Sequence, residues 1–330
     1  MRAILRRTGY HSHGMRGAGH AGCRLRDRCF MKKIPVGQTI AFAYRFLLSE
    51  IGAIVGIAWV PAVISSAAGY LAQIYVDLHK ADIEAQIPQV MGVYLAVSLT
   101  TMLVAIFAAS MVGVAITQHV LGQRKSGVIA YFAAGRSEWR MFAANIRYLV
   151  GAGALIGLAA MISVAAFLLA GVPLDAPEQM RPTAATILAV LISWFVFLYA
   201  FVTILRMGFL LPASIVVEEK GGLRRSHELT RGNFWRMFAV ILALGVPILL
   251  LLMAGEAAVL RSALGPDAAR LNPAEFLQRA GQAMEQKLLP WQVFTAVVFV
   301  LASGLMYGGS AFAYRALVEQ VPQSPSPPRF

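Results

Sequence analysis

The sequence has little cysteine and little charge. Its 330 residues include two cysteines, Cys23 and Cys29, and both lie within the first thirty positions. The rest of the chain therefore has no thiol for a disulfide or a cysteine-ligated metal, and we expect neither a metal nor a cofactor. Charged residues make up 14% of the chain and hydrophobic residues 58%, whereas soluble domains are about 25% charged. This composition excludes an ordinary soluble enzyme and, except locally, intrinsic disorder.

The N-terminal segment, residues 1–30, differs from the rest of the chain. It contains seven arginines and one aspartate, and it lacks the apolar run of a secretory signal. We interpret it as a loose basic tail or as a start assigned upstream of the true one, because Met31, Lys32 and Lys33 are typical of the start of a bacterial membrane protein. An organellar transit peptide and a basic arm for nucleic acid or anionic lipid remain open.

Long apolar runs dominate the remaining sequence. A transmembrane helix needs about 20 mostly apolar residues. Six such stretches lie at about 51–76, 91–119, 146–171, 184–210, 237–260 and 289–314. The sequence thus predicts an all-α bundle of six transmembrane spans over residues 31–320, with short amphipathic interfacial helices and a proline-rich C-terminal tail, 321–330.

Basic residues are unevenly distributed between the two sides of this bundle. If the N-terminus is inside, 23 of the 29 lysines and arginines lie on the inner side and six on the outer side. The positive-inside rule then places both termini in the cytoplasm, and we expect a bacterial inner-membrane protein. The formal net charge of +13 is mainly an orientation signal, so it does not require nucleic-acid binding.

A short aromatic–arginine element recurs before alternate spans. Residues 138–143 read EWRMFA, residues 234–239 read FWRMFA, and residues 43–47, AYRFL, are a looser echo. We expect three hairpins in the same orientation, each entered through a short amphipathic helix at the cytoplasmic surface. Interfacial anchoring of Trp and Arg explains much of this repeat, and a duplicated functional unit is the alternative.

Small residues and one loop give further local predictions. Three Gly-xxx-Gly pairs predict close helix packing: Gly52/Gly56, Gly153/Gly157 and Gly304/Gly308. After the fifth span, Asn272 can cap a helix that starts at Pro273 and carries Phe276, Leu277, Ala280, Met284 and Leu288 on one face. We expect this helix to lie on the outer leaflet or to cover the bundle.

The spans contain few groups that could perform chemistry. No ionisable residue lies near the middle of a span, which disfavours an ion-coupled carrier. The body also contains no Ser-His-Asp order, no paired carboxylates in an apolar pocket, no phosphate loop and no His-rich metal motif. We therefore expect no enzymatic activity. Pro61, Pro212 and Pro247 can kink helices or open polar backbone to a solute.

The most informative stretch connects the fourth and fifth spans. An apolar helix end runs through Pro212 to Glu218, Gly221 and Gly222 interrupt it, and a basic amphipathic helix follows and stops at Gly232. Its arginines are expected to face lipid phosphates. The candidate headgroup contacts are Arg140, Arg224, Arg225, Arg231, Arg236, Trp139 and Trp235.

This stretch resembles a group of bacterial six-helix membrane proteins and is similar to the membrane domain that precedes the catalytic barrel of some glycerophosphodiester phosphodiesterases. The shared positions are Arg206, Pro212, Ala213, Glu218, Ser226, Leu229, Thr230, Arg231, Gly232, Trp235 and Arg236. About sixteen residues follow Tyr314, too few for a barrel. The resemblance implies a membrane module without the enzyme.

Three functions remain open from the sequence. The first is a non-enzymatic envelope-associated or lipid-associated role with anionic phospholipids as the direct partners. The second is a transporter or channel for a small or lipidic solute. The third is a membrane anchor that binds a soluble partner through residues 212–236. A second copy of the chain is a further candidate for the partner at these residues.

Overall fold

The computed structural model describes residues 33–123, 132–171, 183–218, 222–264 and 272–318. Every element in these ranges is an α-helix. They are α1 Val36–Ser49, α2 Ile51–Leu78, α3 Lys80–Glu84, α4 Pro88–Val120, α5 Arg136–Leu169, α6 Ala184–Gly208, α7 Leu211–Val217, α8 Leu223–Leu229, α9 Phe234–Leu264, α10 Pro273–Gln286 and α11 Leu288–Val318. The predictions for residues 1–30 and for the tail 321–330 lie outside the described residues.

Six helical stretches of this chain are long and apolar enough to cross a membrane. They are α2, α4, α5, α6 together with α7, α9 and α11. The predicted all-α, six-span architecture is confirmed, and the protein is a multi-pass membrane protein. The third and fifth span helices begin earlier than predicted, at Arg136 and Phe234, because the aromatic–arginine elements continue directly into the spans.

The core lies in one half of the bundle. We call this half the basic end: it contains α1, the start of α2, the end of α4, the start of α5, the end of α6, α7, α8, the start of α9 and the end of α11. Its buried residues include Ile54, Ile116, Met237 and Tyr314. Helix α1 packs against α9 and α11 and buries one face there, so it is part of the core and not only an interfacial helix.

The opposite half is packed more loosely. Helix α6 packs mainly on α5 and buries three of its residues, Thr186, Ala189 and Ala200. Trp194 and Phe195, near its middle, are 71% and 70% exposed. Apolar surface of this extent is stable only in lipid, so these parts of the spans face the hydrocarbon core of the bilayer.

Two of the three predicted entry helices lie in the described part of the chain. The AYRFL residues 43–47 lie in the separate helix α1, and α8 precedes the third element. The second element, however, forms the first turns of α5 itself, with no separate helix in residues 132–135. The polar-to-apolar change of that element therefore falls inside one continuous helical stretch, and a separate helix before it would lie in residues 124–131, outside the described residues.

Helix α10 forms as the sequence predicts. It begins at Pro273, and the backbone N–H of Glu275 donates to the Asn272 side-chain oxygen at 2.8 Å. This cap satisfies one of the free N–H groups of the first turn. Helix α10 packs against α9, on the opposite side of the bundle from the basic end.

One of the three glycine pairs packs against a neighbouring helix. A Cβ on Gly304 would lie 3.0 Å from Leu47 and Ile54, and one on Gly308 would lie 2.8 Å from Phe46. By contrast, no atom of the described structure lies within 4 Å of a Cβ on Gly52, Gly153 or Gly157. Close approach therefore requires glycine where α11 meets α1 and α2.

Candidate functional site at the basic end

The fourth span is broken near the basic end. Helix α6 ends at Gly208, and α7 starts at Leu211 with Pro212 in its first turn, where the missing N–H of proline costs no helical hydrogen bond. Leu211 and Ile215 are buried against α4, α5 and α11. The segment after Pro212 is therefore a short helix inside the bundle and not a surface loop. Pro61 and Pro247, in contrast, lie within the uninterrupted helices α2 and α9.

The break exposes backbone carbonyl groups that would otherwise continue the helical ladder. The Ser226 hydroxyl donates to the Arg206 carbonyl at 3.1 Å. The Thr230 hydroxyl lies 3.3 Å from the same oxygen and 3.0 Å from the Ser226 and His227 carbonyls, so its single O–H is shared among them. The Ser310 hydroxyl donates to the Phe209 carbonyl at 2.6 Å. Since an unpaired buried carbonyl costs about 1–3 kcal/mol, these hydroxyls stabilise the break. The Ser-x-x-Leu-Thr part of the motif thus has a structural role.

Glu218 follows α7 and joins three helices. Its carboxylate accepts hydrogen bonds from Arg225 of α8 at 2.9 Å and from the Tyr314 hydroxyl of α11 at 2.7 Å. Arg140 of α5 donates to the Glu218 backbone carbonyl at 2.9 Å. Burial raises the pKa of Glu218, but the hydrogen bonds from Tyr314 and Arg225 and the charge of Arg225 outweigh it, so the pKa lies below its ordinary value.

The start of α1 is tied to the start of α9. The backbone N–H of Ile34 donates to the Asn233 side-chain oxygen at 3.2 Å, and Arg236 donates to the Ile34 carbonyl at 3.2 Å. Gly232 has a φ of 79°, a left-handed conformation that glycine adopts without the strain of a Cβ. The predicted stop at Gly232 therefore lets the chain turn from α8 into α9.

The predicted headgroup contacts fall into two groups. Arg140, Arg225 and Arg236 donate to groups of the protein, as described above. The Arg224 side chain is 94% exposed and pairs with Glu228, one turn along α8. The Arg231 side chain is exposed and makes no hydrogen bond or ion pair within the described residues. The two tryptophans of the repeated element are also exposed, Trp139 by 54% and Trp235 by 76%.

The contact between Arg206, a position of the motif, and His227 is a part of this region that sequence reasoning missed. An Nη2 atom of Arg206 lies 3.4 Å from the His227 carbonyl oxygen, and its Nε is buried without a hydrogen-bond acceptor in the described structure. Burial lowers the pKa of His227, and the positive charges of Arg206 and Arg231 lower it further. This proximity depends on α8 folding back along α6, which no local pattern predicts.

Two apolar cavities open between the spans. A groove of about 530 Å³ lies between α2 and α11, and a smaller one of about 330 Å³ lies between α2, α4 and α5. The larger groove is lined mainly by aliphatic side chains, with Trp59, Tyr70 and Gln292 as the larger exceptions. Both suit apolar chains rather than hydrated ions.

Comparison with known proteins gives no match for this chain. No protein-family model, no curated protein and no solved structure is significantly similar to it. The similarity to the membrane domain of glycerophosphodiester phosphodiesterases remains a prediction from the motif, and function has to be argued from the geometry of the basic end.

Proposed function

We propose that this protein is a non-enzymatic, lipid-associated protein of the bacterial inner membrane, and that its basic end contacts anionic phospholipid headgroups in the cytoplasmic leaflet. The observation that carries the proposal is the combination of exposed arginines and exposed tryptophans at one end of the bundle. Arg224 and Arg231 extend from this end, and Trp139 and Trp235 flank them on α5 and α9.

The charge distribution supports this orientation. The exposed basic residues at the basic end are Lys33, Arg45, Arg136, Arg147, Arg224, Arg231, Arg236 and Arg315, against exposed Glu50 and Glu228. At the opposite end, Arg261, Arg279, Lys80 and Lys287 are balanced by acidic residues such as Asp77, Glu256 and Glu275. An anionic leaflet attracts each nearby basic residue by about 1 kcal/mol, so it favours the basic end over the other.

The two tryptophans indicate the depth of these arginines in the membrane. Indole rings prefer the headgroup level, where the ring contacts acyl chains and the N–H remains near water. Trp139 also packs on Phe107 and Phe142, with ring centroids 5.0 and 5.6 Å apart. The ring is therefore held in place beside Arg140 and Arg136, and long arginine side chains can reach the phosphates from this depth.

Lipid retention tests the proposal. We expect the Arg224→Gln/Arg231→Gln variant, purified in mild detergent and examined by native mass spectrometry, to retain less than half the phosphatidylglycerol that the unmodified protein retains. Neither side chain holds the fold, since that of Arg231 makes no hydrogen bond or ion pair within the described residues and that of Arg224 has an exposed partner. Exposed ion pairs contribute about 0–1 kcal/mol to stability.

The matched control is Arg261→Gln/Arg279→Gln, which removes the same charge from exposed positions at the opposite end. We expect it to retain phosphatidylglycerol at the level of the unmodified protein. Equal losses of phosphatidylglycerol in both variants would mean that retention depends on net charge and not on the basic end. No loss in either variant would contradict the proposal.

The groove between α2 and α11 favours a second candidate function, a transporter for a lipidic solute. The groove runs along α2 from Val55 to Tyr70, which at 1.5 Å per residue is about 22 Å and most of the thickness of the hydrocarbon core. If this function holds, a bulky Ala62→Trp substitution in its wall will abolish transport of a fluorescent lipid in proteoliposomes. Unchanged transport would exclude the groove as the path.

A further inference from the structure

We propose that the smaller groove, between α2, α4 and α5, binds one acyl chain of an anionic phospholipid, and that the headgroup of this lipid lies at Arg136. The occupant is a phospholipid of the surrounding bilayer, with one lipid bound per protein molecule. The proposal deepens the function proposed above and rests on it, because it assigns one lipid and one place to the headgroup contacts of the basic end.

The groove leads from the basic end towards the middle of the spans. Trp139, in the first turns of α5, lines it at the basic end, and Leu103 lines it near the middle of α4. Its residues on α4 extend from Leu103 to Met111, which at 1.5 Å per residue is about 12 Å. Leu103 is 43% exposed and Trp139 is 54% exposed, so the groove is open to lipid and a chain can enter it sideways from the bilayer.

The wall of the groove is apolar and preformed. None of the described residues that line it carries a charge. The rings of Phe107, Trp139 and Phe142 pack on one another, with centroid distances of 5.0, 5.6 and 5.6 Å. The volume of about 330 Å³ lies at the lower end of the range for ligand pockets. It therefore suits one acyl chain and not a whole lipid with its headgroup and both chains.

A cationic side chain lies at the mouth of this groove. Phe132 and Trp139, on either side of Arg136 in the chain, both line the groove, and Arg136 lies one turn before Trp139 on the same face of α5. Its side chain is exposed and makes no hydrogen bond or ion pair within the described part of the chain. The neighbouring Glu138 is buried, and its carboxylate accepts a hydrogen bond from Ser137 at 2.9 Å. The uncompensated charge at the mouth therefore belongs to Arg136.

The apolar wall and the charged mouth together match the two parts of a phospholipid. An arginine donates to phosphate oxygens in pairs, and the indole of Trp139 marks the depth at which headgroups lie. A chain in the groove and a phosphate at Arg136 are therefore compatible with the position of one lipid in the cytoplasmic leaflet. This continuity with the headgroup surface of the basic end distinguishes a lipid from other occupants.

Two other occupants fit this groove less well. A transmembrane helix of a second copy is about 10–12 Å wide with its side chains, so it could insert only single side chains into a groove of about 330 Å³. A hydrated ion would lose water and gain no polar ligand from the apolar wall. Neither would use both the groove and the charge of Arg136.

Native mass spectrometry of the full-length protein tests the site. The protein is delipidated in mild detergent and titrated with phosphatidylglycerol. We expect one phosphatidylglycerol to remain bound under collisional activation that removes all others. Leu103→Trp fills the groove and should lose this one-lipid complex. Leu99→Trp is the matched control, because Leu99 lies one turn away on α4, is 55% exposed and does not line the groove, and it should keep the complex.

The position of the headgroup is tested separately. Phosphatidylcholine with the same chains has no net charge, and we expect the unmodified protein to retain phosphatidylglycerol in preference to it. Arg136→Gln should lower this preference by about fivefold, which corresponds to the attraction between one arginine and an anionic lipid surface. Arg45→Gln is the control and should keep the preference, since it removes the same charge from an exposed position at the basic end. None of the described residues that line the groove belongs to α1, the helix of Arg45.

A second variant keeps the test valid if Leu103→Trp does not fold. Ile64→Trp fills the groove from α2, where Ile64 is 41% exposed, and should also lose the one-lipid complex. The site is overturned if no phosphatidylglycerol is retained more strongly than the others, or if the variants that fill the groove retain it as Leu99→Trp does. An unchanged preference in Arg136→Gln, or an adduct with the mass of a fatty acid, would also overturn it.

The site and the proposed function can fail separately. If Leu103→Trp keeps the one-lipid complex while Arg224→Gln/Arg231→Gln loses phosphatidylglycerol, the site is wrong and the function stands. If Leu103→Trp loses the complex while Arg224→Gln/Arg231→Gln retains all its phosphatidylglycerol, the site is supported and the role given to Arg224 and Arg231 is contradicted.

Discussion

Glu218 shows how one polar residue organises the basic end. Its carboxylate receives hydrogen bonds from α8 and α11, and its backbone carbonyl receives one from α5. The motif included Glu218, but no local pattern in the sequence indicates its partner Tyr314, which lies 96 residues away in the chain.

The lowered pKa of Glu218 predicts how stability depends on pH. The group is ionised in the folded and unfolded states above its ordinary value of 4.5, so its full contribution is present at pH 7. The contribution is lost as the pH falls below 4.5 through the lower folded-state pKa. Glu218→Gln should cost about 1 kcal/mol at pH 7, since the pair is partly exposed, and should flatten the decline towards pH 3.

Thermal unfolding in detergent at pH 7 and at pH 3 measures this effect. Glu228→Gln is the control, because its partner Arg224 is almost fully exposed and the pair contributes little. An equal loss of stability in the two variants, or an unchanged pH profile in Glu218→Gln, would contradict the role assigned to Glu218.

At the scale of elements, the interruption between α6 and α7 was the feature that the sequence showed least clearly. Pro212 was recognised as a helix breaker, and Gly232 as a stop, since both act through their own backbone. The position of α7 inside the bundle depends on hydroxyl groups near the carbonyls that the break leaves without a helical partner. Ser226 and Thr230 lie at the Arg206 carbonyl, and Ser310 at the Phe209 carbonyl. Lipid-facing and protein-facing apolar residues look alike in sequence, so hydropathy located the spans but not their neighbours.

The glycine pairs give a prediction for helix packing. Gly308→Ala should lower the melting temperature in detergent by several degrees, because the added methyl group would lie 2.8 Å from Phe46, and overpacking costs about 1–3 kcal/mol. Gly157→Ala, in an equivalent pair with open space around it, should leave the melting temperature unchanged or raise it slightly, since alanine favours a helix over glycine.

Equal melting temperatures for these two variants would mean that the contact between α11 and α1 does not require glycine. The comparison is sharp because both substitutions add one methyl group to a helical span, and only the neighbour differs. Sequence alone ranked the three glycine pairs equally, since spacing shows which residues share a helix face but not what lies opposite.

Across the whole molecule, tight packing and exposed positive charge are concentrated at the same end of the bundle. The basic end holds the buried core, the polar contacts around α7 and the excess of exposed arginine. The opposite end has balanced charge and loosely packed span halves that face lipid. The six-span plan followed from apolar length alone, and the charge excess followed from counting, whereas the concentration of tight packing at the basic end became visible only in three dimensions.

The central claim is that the basic end contacts anionic headgroups. The most direct measurement is photocrosslinking of the protein in nanodiscs with phosphatidylglycerol that carries a photoreactive headgroup, followed by peptide mapping. The account predicts crosslinks concentrated in the segments 136–147 and 222–236. Crosslinks concentrated instead in α10, or distributed equally over both ends of the bundle, would contradict it.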